Sequence, residues 1–189
     1  GALQAETPAA EVTARVYRLA RVPDSTVLAA LRTAEWIFNR AGIALRWSVC
    51  GSADRDSGAS EICANPPGPS TITVKLLPQT MSDRSGLRPD KFGVALPNSQ
   101  VFIFFDRVQR ITKEADFSRS LVLGHIIAHE LGHVLLPGDS HSATGIMSEK
   151  LLMAQCEQPG MMRLAFTRRQ SERMRLRIAL LSANTTDGG

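Results

Sequence analysis

The sequence predicts an α+β fold in which a twisted mixed β-sheet carries two long helices, with a small part following at the C-terminal end. Three observations predict it. Strand-like runs at 12–20, 43–49, 71–77 and 101–105 are interleaved with, or followed by, stretches of helical periodicity at 24–41 and 116–136. The run 101–105 is apolar throughout, which suggests a strand buried on both faces. The chain has 189 residues, 43% apolar and 21% charged, an ordinary globular composition. That length favours one domain and can bury a sizeable core without metal or disulfide staples.

The elements follow in order. Residues 1–10 are rich in Ala and Pro and are expected to be flexible. Val12, Ala14 and Val16 alternate, as in a strand. Asp24 follows Pro23 and is a capping residue for a helix whose apolar face is Val27, Leu31, Ala34 and Phe38. Gly42 is expected to close that helix as the C′ residue. A second strand spans 43–49. Residues 50–70 are rich in Gly, Ser, Asp and Pro and read as a long loop. A β-branched, alternating strand occupies 71–77, and 78–91 reads as another loop. Phe92, Gly93, Val94, Ala95 and Leu96 form a short extended segment before the Pro97–Asn98 turn and the strand 101–105. Asp116 or Ser118 starts a helix that runs to about 136, where Pro137 and Gly138 stop it. Thr167 and Gln170 make a capping box for a last helix, to about 181. The polar tail 184–189 is expected to be flexible. No internal repeat or linker divides 11–183, so the expectation is a single domain.

Charge and cysteines narrow the class further. The net charge of +4 has a local source: six arginines fall between 163 and 177, against one acid, Glu172. This reads as a solvated helix face. No zinc-finger, RNA-recognition or helix-turn-helix pattern accompanies it, so no nucleic-acid partner is expected. The apolar stretch 121–136 is interrupted by His125, His129, Glu130 and His133 and falls short of the ~20 residues of a membrane span. A monomer is the favoured state. Cys50 and Cys63 flank a polar loop, and a disulfide between them would contribute on the order of 3 kcal/mol. Cys156 would remain as a buried thiol. The chain begins Gly-Ala-Leu-Gln without methionine, which, with the disulfide, suggests processing and a secreted or periplasmic location.

One segment carries chemistry. His129-Glu130-Leu131-Gly132-His133 is an HExxH match on a helix. Residues four apart share a helix face, with Cβ atoms ~5–6 Å apart, so two imidazoles can converge on one ion. Glu130 stands to the side, where it can hold a water instead of the metal. The helix is otherwise apolar, so a buried His-Glu-His cluster calls for a reason. His141 follows just after the break at Pro137–Gly138. Three of the chain's four histidines fall between 129 and 141. His125 lies one turn earlier, ~12 Å along the axis from His133, too far to share one ion, and is assigned a structural or supporting role. Gly132 costs ~1 kcal/mol in a helix relative to Ala, which implies close packing against a neighbour.

The run HELGHVLLPGDSHSATGIM resembles the metzincin zinc peptidases, whose pattern is HExxHxxGxxH followed by a methionine-containing turn. The resemblance covers 116–149 by motif and the rest by element order only. It implies a zincin/metzincin-like domain with a backing helix, an active-site helix, a Met-turn and a C-terminal helix, divided into an upper part 11–138 and a lower part 139–183. It carries His129, His133 and His141 over as zinc ligands, Glu130 as general base and Met147 as the Met-turn methionine. It also implies that Phe92 to Leu96 is an edge strand that binds extended peptide by strand addition. The departures are specific. In the strict count the glycine falls at Leu136 and the third ligand at Asp139, whereas Gly138 and His141 lie two residues late. Asp139 and a downstream carboxylate such as Glu149 therefore stay open as rivals to His141. The family's frequent tyrosine two residues after the methionine is replaced by Glu149.

These readings converge on a zinc-dependent metalloendopeptidase acting on a peptide or protein substrate, with Zn2+ as cofactor and Glu130 activating a zinc-bound water. One alternative is a zinc-binding domain of the same fold that recognises a peptide or glycan without turnover. Another is a hydrolase of non-peptide amides.

Overall fold

The computed structural model of the chain describes residues 10–51, 59–68, 70–138, 140–149 and 161–186. The elements are β1 (Ala10–Arg18), α1 (Asp24–Asn39), β2 (Ile43–Cys50), α2 (Ala59–Ala64), β3 (Thr71–Leu77), α3 (Gln79–Asp83), β4 (Gly93–Leu96), β5 (Gln100–Phe104), α4 (Phe105–Glu114), α5 (Arg119–Leu135) and α6 (Arg168–Thr186).

The sheet has five strands in the order β2-β1-β3-β5-β4. β1 pairs in parallel with both β2 and β3, and β3 pairs in parallel with β5. β4 alone is antiparallel, against β5. The register places Val16 opposite Val49 and Val74, and Val74 opposite Val101. One face of the sheet is therefore a continuous aliphatic surface of Val12, Ala14, Val16, Ile72, Val74, Leu76, Val101 and Ile103, all buried. It joins Val27, Leu31 and Phe38 of α1 and Leu123, Ile127 and Leu131 of α5 in one core. Each such side chain, fully buried, contributes roughly 1.5–3 kcal/mol of transfer free energy. α5 also packs against α1, the close approach being permitted by Gly124, where a Cβ would lie 2.5 Å from Thr33 Cβ.

Several expectations are corrected. Asp24 is the first residue of α1 and not its cap: Pro23 occupies that position, no side chain caps the helix, and the Asp24 carboxylate pairs with Arg18. Gly42 keeps the left-handed φ of +74°, but it lies two residues beyond the Arg40 C-cap. β5 is not sealed on both faces, because Phe102 is only half-buried. The chain leaves β5 at Phe104 and enters α4 at Phe105 without a turn, so the sequence offered no breaker between them. The segments read as loops at 50–70 and 78–91 contain the short helices α2 and α3. The last helix runs past 181 to Thr186, so the tail expected from 184 begins inside it.

Other expectations hold. Ser118 is the N-cap of α5, its Oγ accepting from the Leu121 N–H at 3.4 Å. The Thr167–Gln170 box forms reciprocally: the Thr167 N–H donates to Gln170 Oε1 at 2.9 Å and the Gln170 N–H to Thr167 Oγ1 at 3.2 Å. Cys50 and Cys63 are joined by a disulfide that ties the end of β2 to α2. No helix among the described residues is long and apolar enough to cross a membrane. Cys156 lies outside the described residues.

Candidate metal centre

The site is built from α5, the loop after it, and the edge strand β4. α5 ends because Leu136 donates to the Gly132 carbonyl and Pro137 has no N–H to continue. Gly138 then reverses the chain at φ +87°, a conformation open to glycine.

His129 and His133 face each other one turn apart, with their Nε2 atoms 3.0 Å apart. His141 returns from the loop to lie beside them, stacked on His129 with ring centroids 5.7 Å apart and edge-on to His133 at 4.7 Å. Ligand nitrogens of all three lie within 4.8 Å of one another. A tetrahedral ion with Zn–N bonds of ~2.0–2.1 Å would set neighbouring nitrogens about 3.3 Å apart. The pair on the helix is already near that spacing. Asp139, the rival third ligand, lies outside the described residues. Glu149 is exposed and approaches His141 only to 4.0 Å.

The outer nitrogens are held by the protein. His129 Nδ1 donates to the Ile146 carbonyl at 2.8 Å, which fixes a proton on Nδ1 and leaves a lone pair on Nε2. His133 Nδ1 meets the Ser140 hydroxyl at 2.7 Å. Burial, above all, depresses both rings to a pKa of about 4. They are neutral at physiological pH, the form that ligates a cation. The Nε2 lone pair of His129, with ring nitrogens of His133 and His141 gathered around it, fits a divalent cation, and three imidazole ligands would leave a fourth position open.

Glu130 is 7% exposed, and burial raises its pKa to about 8, with the charge of Lys91 acting in the opposite direction. It lies against β4: a Cβ on Gly93 would fall 2.7 Å from Glu130 Cγ. Glycine at 93 thus lets the carboxylate fit beneath the edge strand. β4 is the last strand in the sheet order, so its outer backbone edge has no strand neighbour among the described residues. Phe92 lies just before β4, yet its carbonyl accepts from the Phe104 N–H at 2.9 Å, extending the pairing by one step.

Met147 is fully buried and occupies the space Gly132 leaves: a Cβ there would meet Met147 Sδ at 2.4 Å and Phe166 Cε1 at 2.9 Å. The close packing expected at Gly132 is therefore against the methionine of the turn. That turn is clamped by Ser142 N–H to the Met147 carbonyl and by Ile146 N–H to the Ala165 carbonyl, both 3.0 Å.

The structure thus gathers His129, Glu130, His133, His141, Met147 and Gly93 in one place. Cys50 and Cys63 stand apart, on the opposite edge of the sheet. His125 is fully buried and outside the group, with Nδ1 2.8 Å from the Leu121 carbonyl and Nε2 2.8 Å from the Met161 carbonyl. A neutral ring can donate to only one of them. Burial pulls it towards neutrality and the two carbonyls towards protonation, with burial the larger effect.

Two supporting residues escaped the sequence reading. Ser140 is buried and holds His133. Gln170, besides closing its capping box, donates from Nε2 to the Ser140 carbonyl at 3.1 Å and to Ser142 Oγ at 3.2 Å. The capping box was visible as a local pattern. Its reach of 30 residues back to the loop was not.

No family model matches the chain, and no curated protein matches it. Among solved structures, archaemetzincin from Methanopyrus kandleri superposes with a TM-score of 0.53 at 14% identity, over 91% of this chain and 98% of its own. A zinc-dependent peptidase from Methanocorpusculum labreanum gives 0.51 at 12% identity, over 85% of this chain and 99% of its own. The chain shares the mixed α/β, zincin-like fold of these proteins over nearly their whole length.

Proposed function

We propose that the protein is a zinc metallopeptidase, an endopeptidase that cleaves peptide bonds in segments lying along β4. The observation that carries this reading is the convergence of three imidazoles beside a buried carboxyl group and under a strand edge with no strand neighbour among the described residues. The two solved peptidases of the same fold support it. His129, His133 and His141 would hold the zinc, and bound zinc supplies Lewis-acid polarisation of a carbonyl oxygen. Glu130 takes a proton from the attacking water and passes it to the leaving amine nitrogen. Its burial favours the protonated form, with Lys91 acting in the opposite direction, and a divalent cation held by the histidines would further favour the carboxylate that a base requires. The outer edge of β4, without a strand neighbour among the described residues, aligns an extended substrate by backbone hydrogen bonds. Met147, packed against Gly132 of the histidine-bearing helix, would support the ligand set without itself being a ligand.

The test is metal analysis together with cleavage of a peptide library by wild type and Glu130→Gln. The expected result is about one zinc per chain in both proteins and a loss of turnover of ~10²-fold or more in the variant, the scale of general-base catalysis. Unchanged turnover would exclude Glu130 as the base. Zinc without any cleavage by wild type would favour a non-catalytic peptide- or glycan-recognition domain.

We also propose a secreted or periplasmic location, supported by the Cys50–Cys63 disulfide. Thiol titration of denatured protein from its native compartment should count one free thiol, Cys156. A count of three would remove the argument.

A further inference from the structure

The segment leading into β4 brings a positive charge to the candidate centre. Lys91 stands two residues before Gly93, whose backbone lies against Glu130. The Lys91 side chain is exposed, and its ammonium makes no hydrogen bond or ion pair among the described residues.

The position of Lys91 is set by Arg107 of α4. The guanidinium is buried, yet no carboxylate neutralises it among the described residues. It donates from Nη1 to the carbonyls of Arg88 at 2.7 Å and Lys91 at 2.6 Å, from Nη2 to that of Leu87 at 3.3 Å, and from Nε to Ser82 Oγ at 2.9 Å. It also lies over the Phe104 ring, 4.4 Å from the centroid. Removing any one partner would leave a buried charge less satisfied, so the loop is held at several points. The backbone of Lys91 is pinned while its ammonium remains free.

With a divalent cation held by the three imidazoles, the centre would carry an excess of positive charge that Glu130 offsets only in part, and Lys91 would add to it. A cleft of one charge sign concentrates ligands of the other. The geometry points to Lys91 as a specificity residue: the cleft favours peptides with an acidic side chain near the scissile bond, paired with the Lys91 ammonium. This rests on the peptidase reading above.

The test uses zinc-loaded Glu130→Gln protein as a binding host and wild type for cleavage. The probes are end-blocked Ala/Leu octapeptides carrying one Glu, Gln or Lys scanned along the sequence. At one scan position the Glu peptide should bind about fivefold more tightly than the Gln peptide, the upper range for an exposed ion pair. Lys91→Arg should keep this preference, Lys91→Met should abolish it, and Lys91→Glu should transfer it to the Lys peptide, all with zinc content unchanged. A preference that survives Lys91→Met, or an equal change across all three peptide series, would overturn the proposal while leaving the peptidase reading intact. Failure of zinc-loaded wild type to bind or cleave any peptide would overturn both.

Discussion

His129 and His133 sit within a 17-residue helix, while His141 stands on an exposed stretch of loop. The two helical histidines need only the helix: a spacing of four residues and the burial of α5 place their nitrogens 3.0 Å apart. His141 has no such rule behind it. Its position is assembled from remote groups: Gln170 of α6 on Ser140 and Ser142, Ala165 on Ile146, and Met147 against Gly132. A site of this kind is half a property of local periodicity and half a property of the packed molecule. The two halves should respond differently to perturbation.

The largest effects are expected at the ligands. A four-ligand zinc site is worth ~10–16 kcal/mol in total, so loss of one protein ligand should weaken binding by on the order of 10²–10³-fold. His129→Ala, His133→Ala and His141→Ala should all fall in this range by competition with a chelator, and Asp139→Ala should be much milder. Full zinc retention by either helical variant would break the assignment. A stronger effect at Asp139 than at His141 would restore the strict-count alignment.

A matched pair of substitutions sharpens the contrast. Gln170→Ala removes the tie between α6 and the loop and should cost about 10–100-fold in zinc affinity, the range for groups that orient ligands. It should leave the pairing of His129 with His133 unchanged. Gly132→Ala would gain ~1 kcal/mol in helix propensity but forces a Cβ into Met147 Sδ and Phe166. Overpacking of that kind costs about 1–3 kcal/mol, so thermal unfolding should show net destabilisation. A more stable Gly132→Ala protein would mean that Met147 does not press on the helix.

The smallest effect is the pH dependence of the zinc-free protein. The histidines at 129 and 133 fall from an ordinary 6.5 to about 4. Between those values the unfolded chain binds their protons and the folded chain does not, so stability is lost as pH falls below 6.5. Glu130 is raised from 4.5 to about 8. Its folded form keeps the proton, so stability is lost as pH rises towards 8. From pH 4.5 to 6.5 two imidazoles outweigh one carboxyl, and above 6.5 the carboxyl acts alone. Denaturant unfolding of chelated protein should therefore show greatest stability near pH 6.5. A monotonic rise from pH 5 to 8 would contradict the burial of Glu130.

Much of this was legible in the residues themselves. Periodicity placed α1 and α5, alternation placed β1 to β3, and the capping signals of Ser118 and of Thr167 with Gln170 form as read. These are short-range effects, decided by neighbours three or four residues away. HExxH was legible for the same reason, since a helix converts spacing directly into distance. The sequence also offered Cys50 and Cys63 as a pair, because a polar loop can close on itself.

Tertiary structure alone decided the rest. Asp24 reads as a cap, yet in the fold its carboxylate pairs with Arg18. α4 was hidden because β5 runs into it without a breaker, and nothing in the sequence marks Arg107 as the buried charge that three loop carbonyls surround. Nothing near His141 in the chain announces that Gln170 will position its loop, or that Gly93 will make room for Glu130. Those contacts join residues tens of positions apart. They exist only once the core has closed, because the energy that fixes them comes from burial and not from local preference.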